Sequence, residues 1–494
     1  MLFPDYMNRY EYEHQNLVEL NRNEFRENYS SMRWLGPDEA DNSLKERHFL
    51  LKELESSGAL TGYSGTKLDT ESLSPGCRIC GEGTWSCLFI NGICNSHCFY
   101  CPTPQDDIGI PTTNTVRFSS EKDYSDYIRI FGFRGISISG GEPLLSPKAA
   151  MNYIEAVKSS SGTNIHTWLY TNGKLVNPEI LRSLRDAGLE EIRFDIGAID
   201  YDLSKVEMAV KIIPVVTVEI PAIPEDFTRM KTIIWNMQEI GVKYLNLHQL
   251  RATPHNIRNL LKRDYTFIHG KRATVLESEM TALKLIRFAR ENATNIPVNY
   301  CSFVYKDRYQ RFAARRRHAA YVCEGYETIT GAGFIRQLSV TGSPEYISSL
   351  ANTLTTAELG LSSWKMDAMK NALYFNADIA HLIDTENVEI SVRYFASAIR
   401  QENTHRFPSR EILLNPSKSV FIERSVMTEA LKMDSLQWGY FKELFLKNGE
   451  SQLTNRLQER ISYLNSLHPR QLKNEPWYYI LEYEHLKEGL GDYF

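Results

Sequence analysis

The stretch Cys94-Asn-Ser-His-Cys98-Phe-Tyr-Cys101 places three thiols within eight residues, after the apolar segment Trp85–Ile90 and before the turn-forming Pro102–Pro104. At these spacings a tight loop can direct all three sulfurs at one centre, and thiolates are preferred ligands of iron-sulfur clusters and of zinc. A [4Fe-4S] cluster normally takes four cysteines, so three local ligands leave one iron open to a reactant. The stretch predicts a reactive metal centre, with a zinc knuckle completed by His97 or Cys87 as the alternative.

The composition of the chain limits its class. With 494 residues, 42% of them hydrophobic, it can bury a large core and form two or three domains. The formal net charge of -5 gives no overall attraction to nucleic acid or to anionic membranes. The N-terminus lacks a basic region followed by an apolar run, and the sequence contains no apolar run of about 18 residues. We therefore expect a cytoplasmic protein without membrane contact. Six of the eight cysteines lie between Cys77 and Cys101, which favours metal in a reducing compartment.

Beyond the cysteines, strand and helix patterns alternate at intervals of about 25 to 30 residues, close to the size of one βαβ unit. The predicted strands are Gly135–Ser139, Ile165–Tyr170, Glu191–Asp195, Ile213–Glu219 and Tyr244–His248. The strand before Cys94 makes six. Six parallel strands predict an α/β fold, an open, partial (β/α)6 barrel with its functional residues at the carboxyl ends of the strands.

Three regions are expected. Residues 1–70 have a helical pattern and predict an N-terminal cover, and residues 71–340 contain the barrel. Residues 341–494 lack cysteine and predict a mainly helical C-terminal domain. The positions there with helical spacing are Leu453, Leu457, Ile461 and Leu464.

A second motif, Ser139-Gly140-Gly141-Glu142-Pro143, follows the second predicted strand. Its glycines allow backbone to approach a ligand closely, and Glu142 can accept a hydrogen bond from an ammonium group. The triplet, with Tyr100 before its last cysteine, resembles the signature of the radical S-adenosylmethionine (radical SAM) superfamily, and residues 140–143 match that family's Gly-Gly-Glu-Pro motif.

The resemblance implies a [4Fe-4S] cluster on Cys94, Cys98 and Cys101, with S-adenosylmethionine bound to the open iron and an electron donor such as flavodoxin or ferredoxin. The cluster's electron would split the sulfonium to give a 5'-deoxyadenosyl radical. By the same likeness, the ends of the next three strands contact the cofactor: residues 171–173 the methionine carboxylate, Arg193 with Asp195 the ribose hydroxyls, and residues 219–223 the adenine. The cofactor-binding residues so implied are Tyr100, Gly140, Gly141, Glu142, Pro143, Thr171, Asn172, Arg193, Asp195, Glu219, Ile220, Ala222 and His248. A structural role for any one of these strand-end residues, such as an internal Arg193–Asp195 pair, is the alternative.

A second thiol pair, Cys77 and Cys80, lies in a turn rich in proline and glycine. Together with Cys301 and Cys323 it predicts an auxiliary [4Fe-4S] cluster, because a radical SAM chain is already assembled with iron-sulfur clusters. A zinc site or unligated thiols are the alternatives.

Within the superfamily, residues 70 to 320 resemble a branch related to pyruvate formate-lyase activating enzyme. The shared features are Ser74–Cys80, Cys98–Pro102, Gly140–Leu144, Glu219–Pro224, Tyr244–Leu247, Cys301-Ser302 and Lys306-Asp307. The chain departs from that branch in His248–His255, where the branch usually has an acidic segment. We expect a radical SAM enzyme that abstracts hydrogen from its substrate. An activase of a glycyl radical enzyme, a peptide-modifying maturase and a non-catalytic zinc-binding interaction protein are the alternatives.

Basic residues suggest the charge of the substrate. Arg251 and His255 follow the sixth strand, which places them near the active face, and a basic run follows Cys301. These residues lack interleaved stacking aromatics beyond Tyr309 and Phe312, which disfavours nucleic acid. We therefore expect an anionic small molecule or a peptide carboxylate, with a solvated helix face as the alternative for the basic run.

Overall fold

The computed structural model describes residues 9–69, 72–161, 164–356, 362–383, 388–446, 462–463, 475–485 and 487–493. The chain forms two compact units. The barrel unit comprises residues 14–311, 413–418 and 488–494, and the second unit comprises residues 1–13, 312–412 and 419–487. The main division falls at residue 311, whereas the sequence predicted residue 340, and most of the predicted N-terminal cover belongs to the barrel unit.

A parallel sheet forms the centre of the barrel unit. Its strands lie in the order β1-β2-β13-β10-β9-β8-β7-β6-β3-β4-β5. Strands β3, β6 to β10 and β13 run parallel, and the others pair antiparallel at the two ends. The bounds of β1 to β13 are Thr61–Gly62, Lys67–Leu68, Trp85–Asn91, Thr112–Thr113, Val116–Arg117, Gly135–Gly140, His166–Thr171, Glu191–Phe194, Val215–Pro221, Tyr244–His248, Phe267–Ile268, Thr274–Val275 and Val298–Cys301. The predicted partial barrel is confirmed, and β13 adds a seventh parallel strand that ends in Cys301.

Helices connect these strands as a βαβ pattern requires, since parallel neighbours need a crossover. Helix α6 illustrates the local signals, because the Asn177 side chain accepts from the amides of Glu179 and Ile180 and Pro178 occupies the first turn. The bounds of α1 to α14 are Arg9–Phe25, Pro37–Ser56, Pro75–Gly81, Glu121–Ile130, Pro147–Ser161, Pro178–Asp186, Ser204–Val210, Phe227–Ile240, Ile257–Leu260, Leu276–Glu291, Phe303–Tyr305, Arg311–Val322, Pro344–Thr356 and Ser435–Phe441. None of the described helices combines the length and the apolar character that a membrane crossing needs.

The prediction of a mainly helical C-terminal domain is wrong for the described residues, because an antiparallel sheet of eight strands lies there. The bounds of β14 to β21 are Glu327–Ile329, Ile335–Thr341, Trp364–Asp367, Ala372–Phe375, Glu389–Arg400, Ser409–Asn415, Lys418–Val426 and Leu431–Met433. The overlooked signal is the alternation in β18, where Ile390, Val392 and Tyr394 are buried on one face. Trp438 and Trp477, the latter on the helix Pro476–Glu484, pack in the same core. The predicted stripe of Leu453, Leu457, Ile461 and Leu464 lies outside the described residues.

Candidate functional site

The three-thiol loop, Cys94 to Cys101, begins just after β3 at the carboxyl edge of the parallel sheet. The amide of Cys101 donates to the carbonyl of Cys98 at 3.0 Å, which closes the end of the loop into a turn. All eight cysteines of the chain are free thiols. In the part of the chain that is described, no three Cys, His, Asp or Glu side chains converge closely enough to enclose a metal ion.

The donor set of this loop still fits a soft metal centre. The loop contributes three thiols and no carboxylate, which is the ligand chemistry of iron-sulfur clusters and zinc rather than of magnesium or calcium. Burial raises the pKa of the Cys98 thiol to about 12, and Asp195 adds to the rise. A thiolate at this position therefore needs a nearby positive charge, which a bound metal centre supplies.

Gly140 and Gly141 bring the end of β6 against the segment that leads into the three-thiol loop. A Cβ atom on Gly140, whose φ is 137°, would collide with the carbonyl of Asn91, and one on Gly141 with that of Ile93. The amide of Gly141 donates to Asn91 at 3.1 Å, and that of Glu142 to Ile93 at 2.7 Å. The sequence predicted a close approach to a ligand, but these glycines allow a close approach to the chain's own backbone.

Glu142 joins the ends of β6 and β7. Its Oε1 accepts from the amide of Leu144 and from the hydroxyl of Thr171, both at 2.9 Å, and its Oε2 accepts from the amide of Asn172 at 2.7 Å. Burial raises the pKa of this carboxyl group, and Pro143 beside it is buried as well. A carboxylate has about four acceptor positions, so Oε2 retains capacity for one further donor.

Asn172 connects the loop after β7 to the three-thiol loop. Its Nδ2 donates to Oδ1 of Asn95 at 2.7 Å and faces the sulfur of Cys94 at 3.6 Å. The Lys174 ammonium donates to the carbonyl of Asn95 at 3.2 Å. The loops after β3, β6 and β7 are thus bonded to one another at one edge of the sheet.

Tyr100 and Asp195 form a buried pair beside Cys98. The Tyr100 hydroxyl donates to Oδ1 of Asp195 at 2.8 Å, and burial raises the pKa of Asp195 to about 6. A cavity of about 360 Å³ adjoins the pair, and its lining includes Cys98, Tyr100, Gly197 and Ile223. Because Asp195 is bonded to Tyr100, the alternative of an Arg193–Asp195 pair is wrong.

Arg193 is buried in an internal network instead. Its Nε donates to Glu191 at 2.9 Å, its Nη1 to Glu219 at 2.6 Å and its Nη2 to the hydroxyl of Ser74 at 3.1 Å. The ion pairs that it makes are therefore with glutamates on β8 and β9. These contacts occupy the donors that the family likeness had assigned to the ribose hydroxyls.

Glu219 and His248 continue this network. Glu219 Oε1 lies 2.7 Å from His248 Nε2, and its Oε2 accepts from the Asn246 amide at 3.0 Å. Although burial opposes ionisation, Arg193 and His248 hold the pKa of the Glu219 carboxyl well below its usual value. Ile220 and Ala222, the other residues assigned to the adenine by likeness, are each 1% exposed.

Burial opposes the charge of the Lys67 ammonium, but Cys301, Cys77 and Cys80, here called the second thiol set, outweigh it and raise the pKa of that lysine. The sulfur of Cys77 accepts from Asn246 at 3.0 Å, and that of Cys80 accepts from Gln310 at 3.1 Å. Burial raises the pKa of the Cys80 thiol to about 11. Burial acts in the same direction on Cys301, but Lys67 and a hydrogen bond from His248 outweigh it and lower the pKa of that thiol.

Sequence reasoning missed Lys67, Asn246 and Gln310. Asn246 gave a usable signal, because an amide inside the apolar strand β10 requires a buried partner. Lys67 and Gln310 gave none, since an isolated lysine or glutamine is most often a surface residue.

Cys323 has surroundings of its own. It lies in the second unit at the end of α12, where it packs beside Ala319, Ile335 and Phe395. Its sulfur lies 3.6 Å from the carbonyl of Glu324. These surroundings account for the side chain as a small, partly buried apolar residue.

Arg251 and His255 differ in their surroundings. Arg251 Nε is buried without a hydrogen-bond partner among the described residues, and its guanidinium lies 6.0 Å from the ring centre of Phe303. Burial and the nearby Arg272 and Arg311 lower the pKa of Arg251. His255 is exposed on a turn. Of the two predicted substrate residues, Arg251 is the one with a buried guanidinium nitrogen that has no hydrogen-bond partner among the described residues.

Gly141→Ala should lower the free energy of unfolding by about 2–3 kcal/mol, because the new methyl group must displace backbone rather than a flexible side chain. The measurement is denaturant unfolding of the purified variant. Gly36→Ala is the matched control, since nothing lies within 4 Å of a Cβ built there. Equal losses in the two variants would contradict the close backbone packing at Gly141.

Comparison with known proteins agrees with this arrangement. Residues 88–227 match the Radical SAM superfamily profile. A candidate glycyl-radical enzyme activating enzyme from Methanocaldococcus jannaschii is 29% identical over 302 residues, 58% of this chain and 79% of that protein. GTP 3',8-cyclase from Desulforamulus reducens is 30% identical over 109 residues, 22% of this chain and 33% of that enzyme.

Among solved structures, native anSMEcpe with bound AdoMet and the Cp18Cys peptide is 18% identical. The match covers 32% of this chain and 48% of that one with a TM-score of 0.25, too low to carry a structural argument. The superfamily match contains the three-thiol loop and the loops bonded to it. The chain therefore contains a Radical SAM domain, the domain of a superfamily of enzymes that use a [4Fe-4S] cluster and S-adenosylmethionine, and it is related to the activating-enzyme branch.

Proposed function

We propose that this enzyme cleaves S-adenosylmethionine reductively and that the resulting 5'-deoxyadenosyl radical abstracts hydrogen from an anionic substrate. The observation that carries the proposal is the bonding of the loops after β6 and β7 to the three-thiol loop, through Gly141, Glu142 and Asn172. A [4Fe-4S] cluster held by Cys94, Cys98 and Cys101 would supply the electron for this cleavage.

The residues around that loop have separate roles in the proposal. Asn172 orients Cys94, and the remaining acceptor capacity of Glu142 suits the amino group of the cofactor. The cavity beside Cys98 and Tyr100 is within the size range of small-molecule sites. We assign the adenosyl moiety to it.

The test is an anaerobic assay of the reconstituted, iron-loaded chain with dithionite and S-adenosylmethionine. We expect release of 5'-deoxyadenosine, measured by liquid chromatography, and a brown protein. A reduced, iron-loaded chain that releases none would refute the proposed reaction. A colourless chain that binds zinc at the three-thiol loop would support the interaction-module alternative.

The anionic character of the substrate rests on Arg251. Its guanidinium is half-buried beside Arg272 and Arg311, and Lys306 lies 5.0 Å from the same Phe303 ring. Besides burial, the charges of Arg272 and Arg311 lower the pKa of Arg251 and that of Glu24 raises it, and a bound anion would relieve the repulsion from the two arginines. In this fold the carboxyl ends of the parallel strands face the substrate, and β10 ends three residues before Arg251.

Arg251→Met should weaken the binding of pyrophosphate, used as an anionic probe, about tenfold at low salt, because one charge-assisted hydrogen bond is lost. The measurement is isothermal titration calorimetry, and the difference should shrink as salt is added. Arg258→Met is the control, since Arg258 is 79% exposed and lies 3.7 Å from Glu27. The same loss in both variants would contradict a specific anion site at Arg251.

A second candidate is the activation of a glycyl radical enzyme, which the Methanocaldococcus relative favours. In that reaction the abstracted hydrogen would come from a glycine of a partner protein. A glycyl radical seen by electron paramagnetic resonance after incubation with such a partner would support it.

We further propose that the second thiol set holds an auxiliary [4Fe-4S] cluster. The chain with Cys94, Cys98 and Cys101 all replaced by alanine should then retain about four iron atoms. Iron and zinc per chain are measured by elemental analysis. Loss of all iron with one zinc retained would make the site a zinc site.

A further inference from the structure

The second thiol set supplies three ligands, and a structural zinc or a [4Fe-4S] cluster is usually held by four. Cys323, the fourth ligand expected from the sequence, packs within the second unit. The structure offers another donor next to Cys301. His248 on β10 is paired in register with Cys301 on the parallel neighbour β13. Side chains at paired positions of adjacent strands lie on the same face, so the imidazole and the thiol are neighbours.

The hydrogen bonds of His248 match those of a metal-binding histidine. Its Nε2 lies 2.7 Å from a carboxylate oxygen of Glu219, whose other carboxylate oxygen accepts from Arg193 at 2.6 Å. Its Nδ1 is buried, and the only partner that the described residues offer on that side of the ring is the Cys301 thiol, although the side chain is 16% exposed. A histidine that binds a metal through one nitrogen almost always donates its other N–H to a carboxylate or carbonyl.

The charge of Lys67 also favours a centre with three thiolate ligands and one neutral ligand. It is 1% exposed, and the charges that act on its ammonium are those of Cys301, Cys77 and Cys80, followed by Glu219. A doubly positive metal core, three thiolates and a neutral imidazole sum to a single negative charge, which one ammonium neutralises. A fourth thiolate would add a second negative charge, and the other ammonium that acts on Cys301, that of Lys306, is only partly buried.

We propose that His248 is the fourth ligand of the centre formed by Cys77, Cys80 and Cys301, bound through Nδ1 and oriented by Glu219, with Lys67 as the neutralising charge. This inference rests on the metal centre proposed above for the second thiol set. It replaces Cys323 with His248 and assigns His248 to the auxiliary centre rather than to S-adenosylmethionine.

The test uses the full chain with Cys94, Cys98 and Cys101 replaced by alanine, labelled with ¹⁵N only at histidine, loaded with iron and sulfide and reduced. Pulsed electron paramagnetic resonance should detect a ¹⁵N nucleus bound to the cluster. Adding His248→Cys should abolish this coupling while about four iron atoms remain. Adding Cys323→Ser should leave both the coupling and the iron unchanged. If His248→Cys fails to fold, the labelled chain with all its cysteines provides the same coupling measurement.

Two results would overturn the inference, namely about four iron atoms without a histidine coupling, or loss of the iron in Cys323→Ser. If the site takes one zinc instead of iron, the auxiliary cluster fails but the ligand assignment can still be tested. X-ray absorption at the zinc edge should then find three sulfurs and one nitrogen. Four sulfurs would overturn the role of His248.

Discussion

Replacing Cys94, Cys98 and Cys101 together by alanine should abolish the release of 5'-deoxyadenosine from S-adenosylmethionine, a loss to the level of the buffer blank. Without the three thiols the loop keeps a single metal-binding side chain, the His97 imidazole, which cannot hold a cluster alone, because the other residues are Asn, Ser, Phe and Tyr. The assay is the anaerobic one described above, with dithionite as the reductant.

Cys87→Ala is the matched control for the triple variant. Cys87 lies on β3, outside the loop, and its thiol is hydrogen-bonded with Ser137 and Ser139. We expect this variant to release 5'-deoxyadenosine at close to the original rate. Undiminished release by the triple variant, or equal loss in the control, would contradict the assignment of the cluster to the three-thiol loop.

Arg193→Met should lower the free energy of unfolding of the barrel unit by about 3–5 kcal/mol, because it leaves two buried carboxylates without their cation. Glu191 is 0% exposed and the Glu219 side chain 12% exposed, so water cannot replace the guanidinium fully. Methionine keeps most of the apolar length of the side chain, which separates the loss of charge from the loss of packing. Denaturant unfolding followed by far-ultraviolet circular dichroism measures the change.

Arg185→Met provides the comparison for this prediction. Arg185 pairs with Asp186 at 2.8 Å on the exposed helix α6, and such surface pairs contribute about 0.5 kcal/mol. Similar small losses in the two variants would contradict the structural role of the internal network. Because Arg193 also donates to Ser74, the residue that caps α3, we expect Arg193→Met to lower metal retention at the second thiol set as well.

The barrel could be predicted because its signals are local. Each strand of a parallel sheet is a short apolar run, and each crossover helix carries its own caps and periodicity, so the order of elements follows from the chain in sequence. The three-thiol loop is local too, since its ligands lie within eight residues. The long strand β18 could have been predicted in the same way, because its apolar residues alternate with polar ones. The expectation of helices there overlooked that the apolar residues recur every two residues rather than every 3.6.

Only the tertiary structure decided how the polar residues inside the barrel are paired. Arg193, Glu219 and His248 come from three different strands, and sequence order does not say whether such side chains face a ligand or one another. Their pairing depends on strand register, since a shift of one residue turns a side chain to the opposite face.

The same reason separates the two thiol sites. The sequence by itself determined the superfamily and the first metal site, because one turn carries all of the signal. The second site joins Cys77 and Cys80 on α3 to Cys301 at the end of β13, beside Lys67 on β2. These side chains come together because β13 joins the sheet between β10 and β2. That pairing joins distant parts of the chain, so no local sequence pattern encodes it.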